Sequence, residues 1–390
     1  MSINVCGIGV VSAIGVGCDE NFDSLLSQRC GIGANTLFDS SICVPMGMVK
    51  LSNEELKERL DIDKSRTISR TALLGALAAK EALEGVDIPE GKRVGLISST
   101  TVGGMDLTEE FYRDFMKDSS RGRLRDVVGH DCATSSEFIA EVCDITHFVT
   151  TISTACSSAA NAVIMGARML ECGMLDYVLV GGVDSLCRFT LCGFNSLMIL
   201  DEELCRPFDQ SRKGLNLGEG AGYLLLTKET TARVLCRVAG YANANDAYHQ
   251  TASSAEGEGA YRAMSQAIRV AGVDCHEIDY INLHGTGTQN NDLSESAAIE
   301  RIFDGEKIPP CSSTKSYTGH TLAASGGVEA VFSVLALTRG VIYSSLRVLS
   351  PIDDDIPIAT RVQEGVKLNY VLSSSFGFGG NCSSLIFGRI

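Results

Sequence analysis

Two stretches of this chain repeat the same succession of elements, and this repetition constrains the fold more than any other feature. Each half opens with an apolar, strand-like run, at residues 4–11 and again at residues 234–241. Each half then carries an apolar strand that ends in a Gly/Thr-rich loop, "VGLISSTTVGG" from residue 94 and "DYINLHGTGT" from residue 279. Strand-like and helix-like segments alternate throughout, which is typical of α/β proteins. We predict two duplicated halves, residues 1–230 and 231–390, although an α/β chain can also echo itself weakly without duplication.

The next pair of matching segments carries the chemistry. Each half continues with a strand, a turn and a helix of small residues, "TTISTACSSAANAVIMGARMLECG" from residue 150 and "CSSTKSYTGHTLAASGGVEAVFSVLALTRG" from residue 311. Two pseudo-symmetric halves bring equivalent loops together at their common interface. We therefore expect Cys156 and His320 to lie at matching amino ends of two helices, one from each half.

Cys156 lies at a predicted strand-to-helix turn. The β-branched run at residues 149–152 precedes it, and a helical pattern follows it. At the amino end of a helix, the dipole and the free N–H groups favour an anion, which predicts a stabilised thiolate. The alternative is that Cys156 is one more small buried residue, as free cysteines usually are. A nucleophile would need a base or donor and an oxyanion site elsewhere in the chain.

Two of the six histidines stand beside glycines and small residues, His284 in "HGTGTQNND" and His320 in "STKSYTGHTLAASGG". A histidine in such a loop is a candidate acid, base or hydrogen-bond donor. Lys315 precedes His320 in a polar loop, and Glu329 follows it inside an otherwise apolar helix. Because a buried carboxylate is costly unless paired, we predict an ion pair between Lys315 and Glu329.

The stretch "SFGFGG", residues 375–380, supplies a candidate oxyanion site. Its glycines permit dihedral angles that turn backbone N–H groups into a pocket. An oxyanion needs two such donors, and we predict that they are the N–H groups of Cys156 and Phe378.

Charge and cysteine usage exclude several classes of protein. The chain of 390 residues has a net charge of −15, which argues against nucleic acid as its main partner. No leader with an apolar core precedes the first strand, and no apolar run is long enough to predict a membrane span. The 15 cysteines include no Cys-x-x-Cys pair, so we expect reduced cytoplasmic thiols and neither a disulfide frame nor a metal site.

With these residues in place, the chain resembles the β-ketoacyl-[acyl-carrier-protein] synthases of the elongating type, in the thiolase-like superfamily. The motifs "TACSSA", "RPFD…GEGAG", "HGTGT…ND…E", "STKSYTGH" and "GFGG" all occur and span nearly the whole chain. The resemblance implies a five-layered αβαβα fold, usually as a homodimer, and a Cys156, His284 and His320 site for decarboxylative Claisen condensation. It implies acyl carrier protein as partner, whose phosphopantetheine arm delivers the substrate, and no metal or redox cofactor.

The resemblance also assigns further residues. Thr286 and Thr288 correspond to hydroxyls that bind the pantetheine amides, and Phe378 corresponds to a gate residue. Val102 falls where the family lines its acyl pocket, with Met105 nearby. Two segments depart from the usual pattern: Asn381 and Cys382 replace Thr-Asn after "GFGG", and residues 114–148 differ throughout. These departures suggest a specialised synthase, such as one of a polyene or aryl-polyene pathway.

The negative net charge raises a question about an acidic carrier protein, because two negative bodies repel at long range. Docking then requires a local basic patch. We predict that Lys64, Arg66 and Arg70 form it, with Arg66 and Arg70 on one helix face and Arg206 near the pocket mouth. A second basic cluster comprises Arg121, Arg123 and Arg125. In the "RPFD" block, we expect Asp209 and Arg212 to hold loops in place.

A non-catalytic partner of a ketosynthase, similar to a chain-length factor, is the alternative from another functional class. Such subunits usually lack the nucleophilic cysteine, whereas Cys156, His284 and His320 are all present here. The initiating synthases and the thiolases differ at the second histidine position. A dinucleotide site at "GIGVVSAIG" lacks the third glycine of the fingerprint, where Ser12 stands.

Overall fold

A computed structural model describes residues 2–230 and 233–390 of the chain. Its strands in the first half are β1 (Ile3–Ser12), β2 (Gly15–Val16), β3 (Ile32–Gly33), β4 (Met46–Gly47), β5 (Val94–Ser99), β6 (Phe148–Ile152), β7 (Tyr177–Asp184) and β8 (Gly220–Thr227). Those in the second half are β9 (Cys236–Asn245), β10 (Tyr280–Asn282), β11 (Cys311–Ser312), β12 (Val341–Ile342), β13 (Gln363–Glu364), β14 (Tyr370–Gly377) and β15 (Asn381–Gly388).

The α-helices follow the strands in the order expected of an α/β chain. They are α1 (Cys18–Leu26), α2 (Asn53–Arg59), α3 (Arg70–Leu83), α4 (Met105–Lys117), α5 (Arg125–Val128), α6 (Cys132–Val142), α7 (Ser158–Glu171), α8 (Arg188–Ser196), α9 (Glu258–Ala271), α10 (Gln289–Phe303), α11 (Lys315–Thr318) and α12 (Ser325–Arg339). Short 3-10 turns cover Cys275–Glu277, Leu322–Ala324 and Phe378–Gly380.

The strand order repeats between the two halves. In the first half the strands lie in the order β6-β5-β7-β8-β1, and in the second half in the order β11-β10-β14-β15-β9. The two orders are identical when strands are matched by their place along the chain, and this is the arrangement that duplication predicts. Strands β1 and β9 also pair with each other, Ile3 opposite Val238 and Val5 opposite Cys236, so the two halves share one continuous sheet.

Helices cover both faces of each half and produce the layered α/β architecture. Helix α3 packs on β1, β7 and β8, whereas α9 packs on β9 and β15. Helices α7 and α12 lie against each other between the two halves of the sheet. The contact is close: a Cβ added to Gly222 of β8 would lie 2.3 Å from the carbonyl carbon of Gly327 in α12. Glycine is required there because any side chain would push the helix off the sheet.

Helix α12 is the central helix of the fold. The stretch Leu322–Arg339 is long and apolar enough to cross a membrane, but 89% of it is buried inside the protein. This burial identifies it as a core helix, and it carries Glu329 into the interior. The predicted boundary between the halves falls at residues 230 and 231; Thr231 and Ala232 lie outside the described residues, as does Met1, and the boundary remains a prediction.

Candidate active site

Cys156 lies in a tight turn between β6 and α7. Ala155 before it has a φ of 52°, a left-handed conformation that a non-glycine residue adopts only where its surroundings impose it. The Ser158 hydroxyl fixes this turn by accepting from the Thr154 N–H at 2.8 Å and donating to the Ala155 carbonyl at 2.5 Å. The turn therefore presents Cys156 directly before the first turn of α7, as the sequence predicts.

The thiol of Cys156 is 6% exposed, and burial raises its pKa to about 12. The charge of Lys315 and the N–H of Phe378 act in the opposite direction, and the charge of Asp184 adds to the effect of burial. The expectation of a stabilised thiolate is therefore wrong for the resting site, because the loss of water outweighs the helix end. Cys156 rests as a neutral thiol.

The "GFGG" turn lies directly against this cysteine. The N–H groups of Phe378 and of Cys156 itself both act to lower the pKa of the thiol, so they lie close to the sulfur, and they are the two donors predicted for the oxyanion. A Cβ on Gly377 would lie 2.9 Å from the Thr154 carbonyl oxygen, so only glycine allows the two turns to approach this closely.

A polar network that the sequence did not predict ties the "GFGG" turn to the start of α7. The Asn381 side-chain oxygen accepts from the Ser157 hydroxyl at 2.7 Å and from the Asn161 amide at 2.9 Å. It also accepts from the Asn243 amide at 2.8 Å. The family's usual threonine at this position has a shorter side chain. The three hydrogen bonds of the Asn381 oxygen are therefore a feature of the position where this sequence departs from the family.

The His320 side chain is held by hydrogen bonds to one ring nitrogen. The N–H of Leu322 donates to Nδ1 at 3.0 Å, and the Ser325 hydroxyl lies 3.0 Å from the same atom. Because a backbone N–H can only donate, Nδ1 must be unprotonated, and the hydrogen of the neutral ring is on Nε2. His320 is thus a hydrogen-bond donor through Nε2.

His284 is oriented in the same way by Lys315. The ammonium nitrogen Nζ of Lys315 lies 3.3 Å from Nδ1 of His284 and donates to the His284 carbonyl at 2.5 Å. Glu295 accepts from the backbone N–H groups of His284 and Gly285, each at 2.8 Å. Nε2 of His284 therefore carries the hydrogen, and the two imidazole rings lie edge to face with centroids 5.4 Å apart.

The predicted pair of Lys315 and Glu329 is present and buried, with side chains 2% and 3% exposed. Burial and the charge of Lys315 lower the pKa values of His284 and His320 well below 6.5. Burial raises the pKa of Glu329 to about 7, against the opposing effect of Lys315. Burial and the nearby charge of Lys315 thus keep both imidazole rings neutral. Both rings can then donate a hydrogen bond without changing their charge.

Two cavities, each of about 360 Å³, meet at Cys156. One contains His284 and His320, with Thr286 and Thr288 further along its wall. The other is apolar and is lined by Val102, Met105 and Phe189, where the resemblance places the acyl pocket. Phe378 and Phe194 line both cavities.

The predicted docking patch needs correction. Helix α3 begins at Arg70, after its N-cap Ser69, so Arg66 lies in the preceding loop and shares no helix face with Arg70. Arg70 is 5% exposed and bonds Glu219 through two nitrogens, so it is a structural ion pair and not an exposed docking charge. Lys64 and Arg66 are exposed.

The pocket mouth also differs from the prediction. Arg206 and Lys213 both pair with Glu203, but only Lys213, 62% exposed, lines the cavity that contains the histidines, and Arg206 lines neither cavity. Asp209 and Arg212 hold loops as expected. Asp209 accepts from the N–H groups of Leu349 and Ser350, and Arg212 bonds the carbonyls of Thr288 and Gln289.

Sequence reasoning missed the site contributions of Phe194, Lys213, Asn381 and Asp184. The first two carry no motif signal, because only folding brings α8 and its following loop to the cavities. Asn381 was noted as a departure from the family pattern, and that departure was the available signal. Among residues 2–230 and 233–390, no group of three or more His, Cys, Asp or Glu side chains is arranged to hold a metal ion.

Comparison with known proteins agrees with this geometry. The chain matches the N-terminal domain of β-ketoacyl synthases over residues 1–232 and their C-terminal domain over residues 235–348. It is 30% identical to a 3-oxoacyl-[acyl-carrier-protein] synthase 2 of Staphylococcus aureus, over 98% of this chain and 100% of that protein. A Rhizobium meliloti protein of the same name is 40% identical over 61% of this chain and 60% of that protein.

Solved structures with the same fold include two ketosynthases with chain length factors. The ishigamide ketosynthase/chain length factor has a TM-score of 0.92 and 29% identity, covering 100% of this chain and 99% of that one. The ketosynthase ApeO, in complex with its chain length factor ApeC from Xenorhabdus doucetiae, has a TM-score of 0.86 and 33% identity, covering 100% and 98%. By its sequence, its thiolase-like fold and the cysteine and two histidines of its site, the chain belongs to the β-ketoacyl synthase family.

Proposed function

We propose that this protein is a 3-oxoacyl-[acyl-carrier-protein] synthase that condenses a Cys156-bound acyl group with a malonyl thioester and releases CO₂. The observation that carries the proposal is the meeting of two cavities at Cys156, one apolar and one containing two histidine donors. An acyl chain occupies the apolar cavity, and the pantetheine thioester enters by the other.

In the first step, the Cys156 sulfur attacks the acyl thioester of the carrier protein. The new carbon–sulfur bond forms as the pantetheine sulfur leaves, and the thiol proton of Cys156 passes to that leaving sulfur. The N–H groups of Cys156 and Phe378 stabilise the oxyanion of the tetrahedral intermediate. Because the resting thiol is neutral, deprotonation accompanies substrate entry and does not precede it.

In the second step, a malonyl thioester places its carbonyl oxygen between Nε2 of His284 and Nε2 of His320. Both nitrogens donate hydrogen bonds to the enolate that forms as CO₂ departs. The enolate carbon attacks the acyl carbonyl on Cys156, and the sulfur leaves and regains a proton. The product is a 3-oxoacyl chain two carbons longer. Lys315 orients His284, and burial together with the charge of Lys315 keeps both rings neutral.

Thr286 and Thr288 lie along the histidine cavity, where their hydroxyls suit the amides of a phosphopantetheine arm. The substrate thus brings its own prosthetic group, and the proposed reaction needs no metal or redox cofactor, since loss of CO₂ generates the carbanion. Docking of the acidic carrier protein is assigned to Lys64 and Arg66, with Lys213 at the cavity in place of Arg206.

A dimer is the proposed working form. Strand β6 lies at the end of the sheet order, with one edge unpaired by any strand of the described residues, and such an edge is a ready site for another strand. Phe189 and Leu197 line the acyl cavity and are 67% and 41% exposed, so a second subunit would close its wall. The partner is a second copy or a related subunit, as the chain length factors are in the ishigamide and ApeO structures.

The alternative, a non-catalytic subunit similar to a chain-length factor, has less support because Cys156, His284 and His320 are all in place. We assign the protein to the cytoplasm, since all fifteen cysteines are free thiols.

The test is to incubate the purified protein with acyl- and malonyl-carrier protein and to measure CO₂ and product length. A 3-oxoacyl product two carbons longer supports the proposal. If the protein alone is inactive, the assay is repeated with a related subunit co-expressed. Absence of an acyl adduct on Cys156 in both preparations would assign the chain to the non-catalytic alternative.

A further inference from the structure

Asp184, the last residue of β7, is a fully buried carboxylate beside the site that the proposed reaction does not use. Among the described residues, no cationic side chain forms an ion pair with it. Instead, its two oxygens accept five hydrogen bonds from two separate segments of the chain. These hydrogen bonds stabilise the buried carboxylate only while the donors keep their positions. Asp184 therefore holds the two segments in place relative to each other.

The first segment forms part of the acyl cavity. The oxygen Oδ1 of Asp184 accepts from the Thr100 hydroxyl at 2.5 Å, the Thr101 N–H at 2.9 Å and the Val102 N–H at 3.1 Å. Thr101 and Val102 line the apolar cavity next to Cys156. The position of this loop sets where the Val102 side chain stands, and hence the space available to the acyl chain.

The second segment is the turn that orients His320, and its residues Leu322 and Ala323 also line the apolar cavity. The other oxygen, Oδ2, accepts from the Ala323 N–H at 2.8 Å and also from the Thr101 hydroxyl at 2.6 Å. Ala323 follows Leu322, whose own N–H donates to Nδ1 of His320. Leu322 has a φ of 53°, so this turn is in a conformation that its surroundings must impose.

We propose that Asp184 is a positioning residue that ties the acyl-cavity loop at Thr100–Val102 to the Leu322–Ala323 turn that aims Nε2 of His320. The inference rests on the proposed condensation and adds a residue that acts through others. One carboxylate then holds the Thr100–Val102 wall of the acyl cavity, mainly through Oδ1, and through Oδ2 it holds the Ala323 turn that aims His320.

Asp184→Asn separates these two roles. Its amide oxygen can still accept from the three loop donors that reach Oδ1, which leaves the amide nitrogen facing the Thr101 hydroxyl and the Ala323 N–H; the hydroxyl can turn and accept, whereas the N–H cannot. Two donors repel, so the Ala323 turn is released while the acyl loop stays. We expect the kcat of condensation to fall at least tenfold, with KM for malonyl-carrier protein changed less than threefold. Single-turnover acylation of Cys156 by a short acyl thioester, which occupies least of the cavity, should stay within threefold of wild type when followed by mass spectrometry.

Thr100→Val is the complementary variant, because it removes the hydroxyl that donates to Oδ1 and accepts from the N–H groups of Val102 and Gly103, all of them bonds of the acyl-cavity loop. It should change the relative acylation rates of short and long acyl thioesters at least fivefold, with condensation of the preferred primer within threefold of wild type. If Asp184→Asn does not fold, Thr100→Val carries the test. Equal losses of acylation and condensation in Thr100→Val would overturn the proposal.

Glu81→Gln is the matched control. Glu81 is a largely buried carboxylate that accepts from the N–H groups of Val10 and Cys18, and it lines neither cavity. The Glu81→Gln variant should have a lower melting temperature than the wild type, with the same acyl preference and the same kcat. If folded Asp184→Asn keeps full condensation while wild type is active, the inference fails and the proposed function stands. If wild type itself does not condense, the proposed function fails.

Discussion

The rings of Phe194 and Phe378 stack with centroids 5.8 Å apart and planes 23° from parallel. Both residues line the histidine cavity and the acyl cavity, so the stacked pair forms the partition between them. The family resemblance assigns gating to Phe378 alone. In this fold, the Phe378 ring cannot swing without leaving the ring of Phe194, so a gating movement of Phe378 would involve α8.

Phe194→Leu should loosen this partition. An aromatic pair contributes about 0.5–1.5 kcal/mol beyond the burial of its area, so losing it makes displacement of the Phe378 ring easier by roughly two- to tenfold. The rate of Cys156 alkylation by a small iodoacetamide reagent should rise by that factor. Phe189→Leu is the control, because Phe189 lines the acyl cavity without stacking on Phe378. An unchanged alkylation rate in Phe194→Leu would show that the stack does not restrain the gate.

Cys156→Ser should abolish acyl transfer, because an alcohol is a far weaker nucleophile than a thiol at this position. Mass spectrometry after incubation with acyl-carrier protein should show one acyl group on Cys156 of the wild type and none on the variant. Cys382→Ser is the control, since Cys382 lines the same cavity and is similarly buried. An adduct that persists in Cys156→Ser would place the nucleophile elsewhere.

Lys315→Met should shift the pH profile of condensation. The charge of Lys315 lowers the pKa values of His284 and His320, so its removal raises both. A protonated imidazole ring can no longer accept a hydrogen bond at Nδ1, so it loses the contact that orients it. The acid limb of the kcat profile, where kcat falls as the rings become protonated, should therefore move to higher pH. The wild type should show no such limb near pH 6.5, because burial also keeps both pKa values below it. Profiles of kcat from pH 5.5 to 8.5 test this.

The same change should destabilise the fold, since breaking a buried ion pair costs about 3–5 kcal/mol. Without Lys315, the pKa of Glu329 rises above its present value of about 7. An acid whose pKa is raised on folding loses stability as pH rises above its unfolded value, so the variant should melt lower at pH 8 than at pH 5. Adding Glu329→Gln should remove that pH dependence of stability while the shifted acid limb persists. If the double variant shows the acid limb of the wild type again, that result would contradict the role given to Lys315.

Arg66→Glu and Arg70→Glu should behave differently, although the sequence places them in one cluster. Arg66 forms an exposed pair with Glu141, which contributes at most about 1 kcal/mol, so its reversal should leave the fold intact. We expect a higher KM for acyl-carrier protein, a weaker salt dependence and an unchanged rate with a small pantetheine thioester. Arg70→Glu should unfold the protein, because it sets two carboxylates against each other in the interior.

Arg262→Glu is the control for docking, since Arg262 is an exposed residue of α9 in the other half of the chain. Its KM for acyl-carrier protein should match wild type. If Arg66→Glu slows the small thioester as much as the carrier protein, then Arg66 supports the fold and does not dock the partner.

The sequence alone predicted the candidate reacting groups and the symmetry that brings them together. Small residues around Cys156, glycines beside His284 and a lone carboxylate in the apolar α12 pattern are local signals. The small residues and glycines are expected where a large side chain would block a ligand. The lone carboxylate is expected to have a partner, because an unpaired buried charge is unfavourable. The repeated succession of strands and helices predicted that loops from the two halves meet, and the matching strand orders agree with it.

Only the tertiary structure decided the electrostatics and the contacts between distant segments. Burial, which no local pattern reveals, makes Cys156 a neutral thiol and turns Arg70 into an interior ion pair with Glu219. Phe194 meets Phe378, and Asp184 meets both Thr100 and Ala323, across stretches of chain that share no motif. A pKa, a stacked ring and a shared carboxylate depend on what the fold brings within a few ångströms, and therefore on every element that packs around the site.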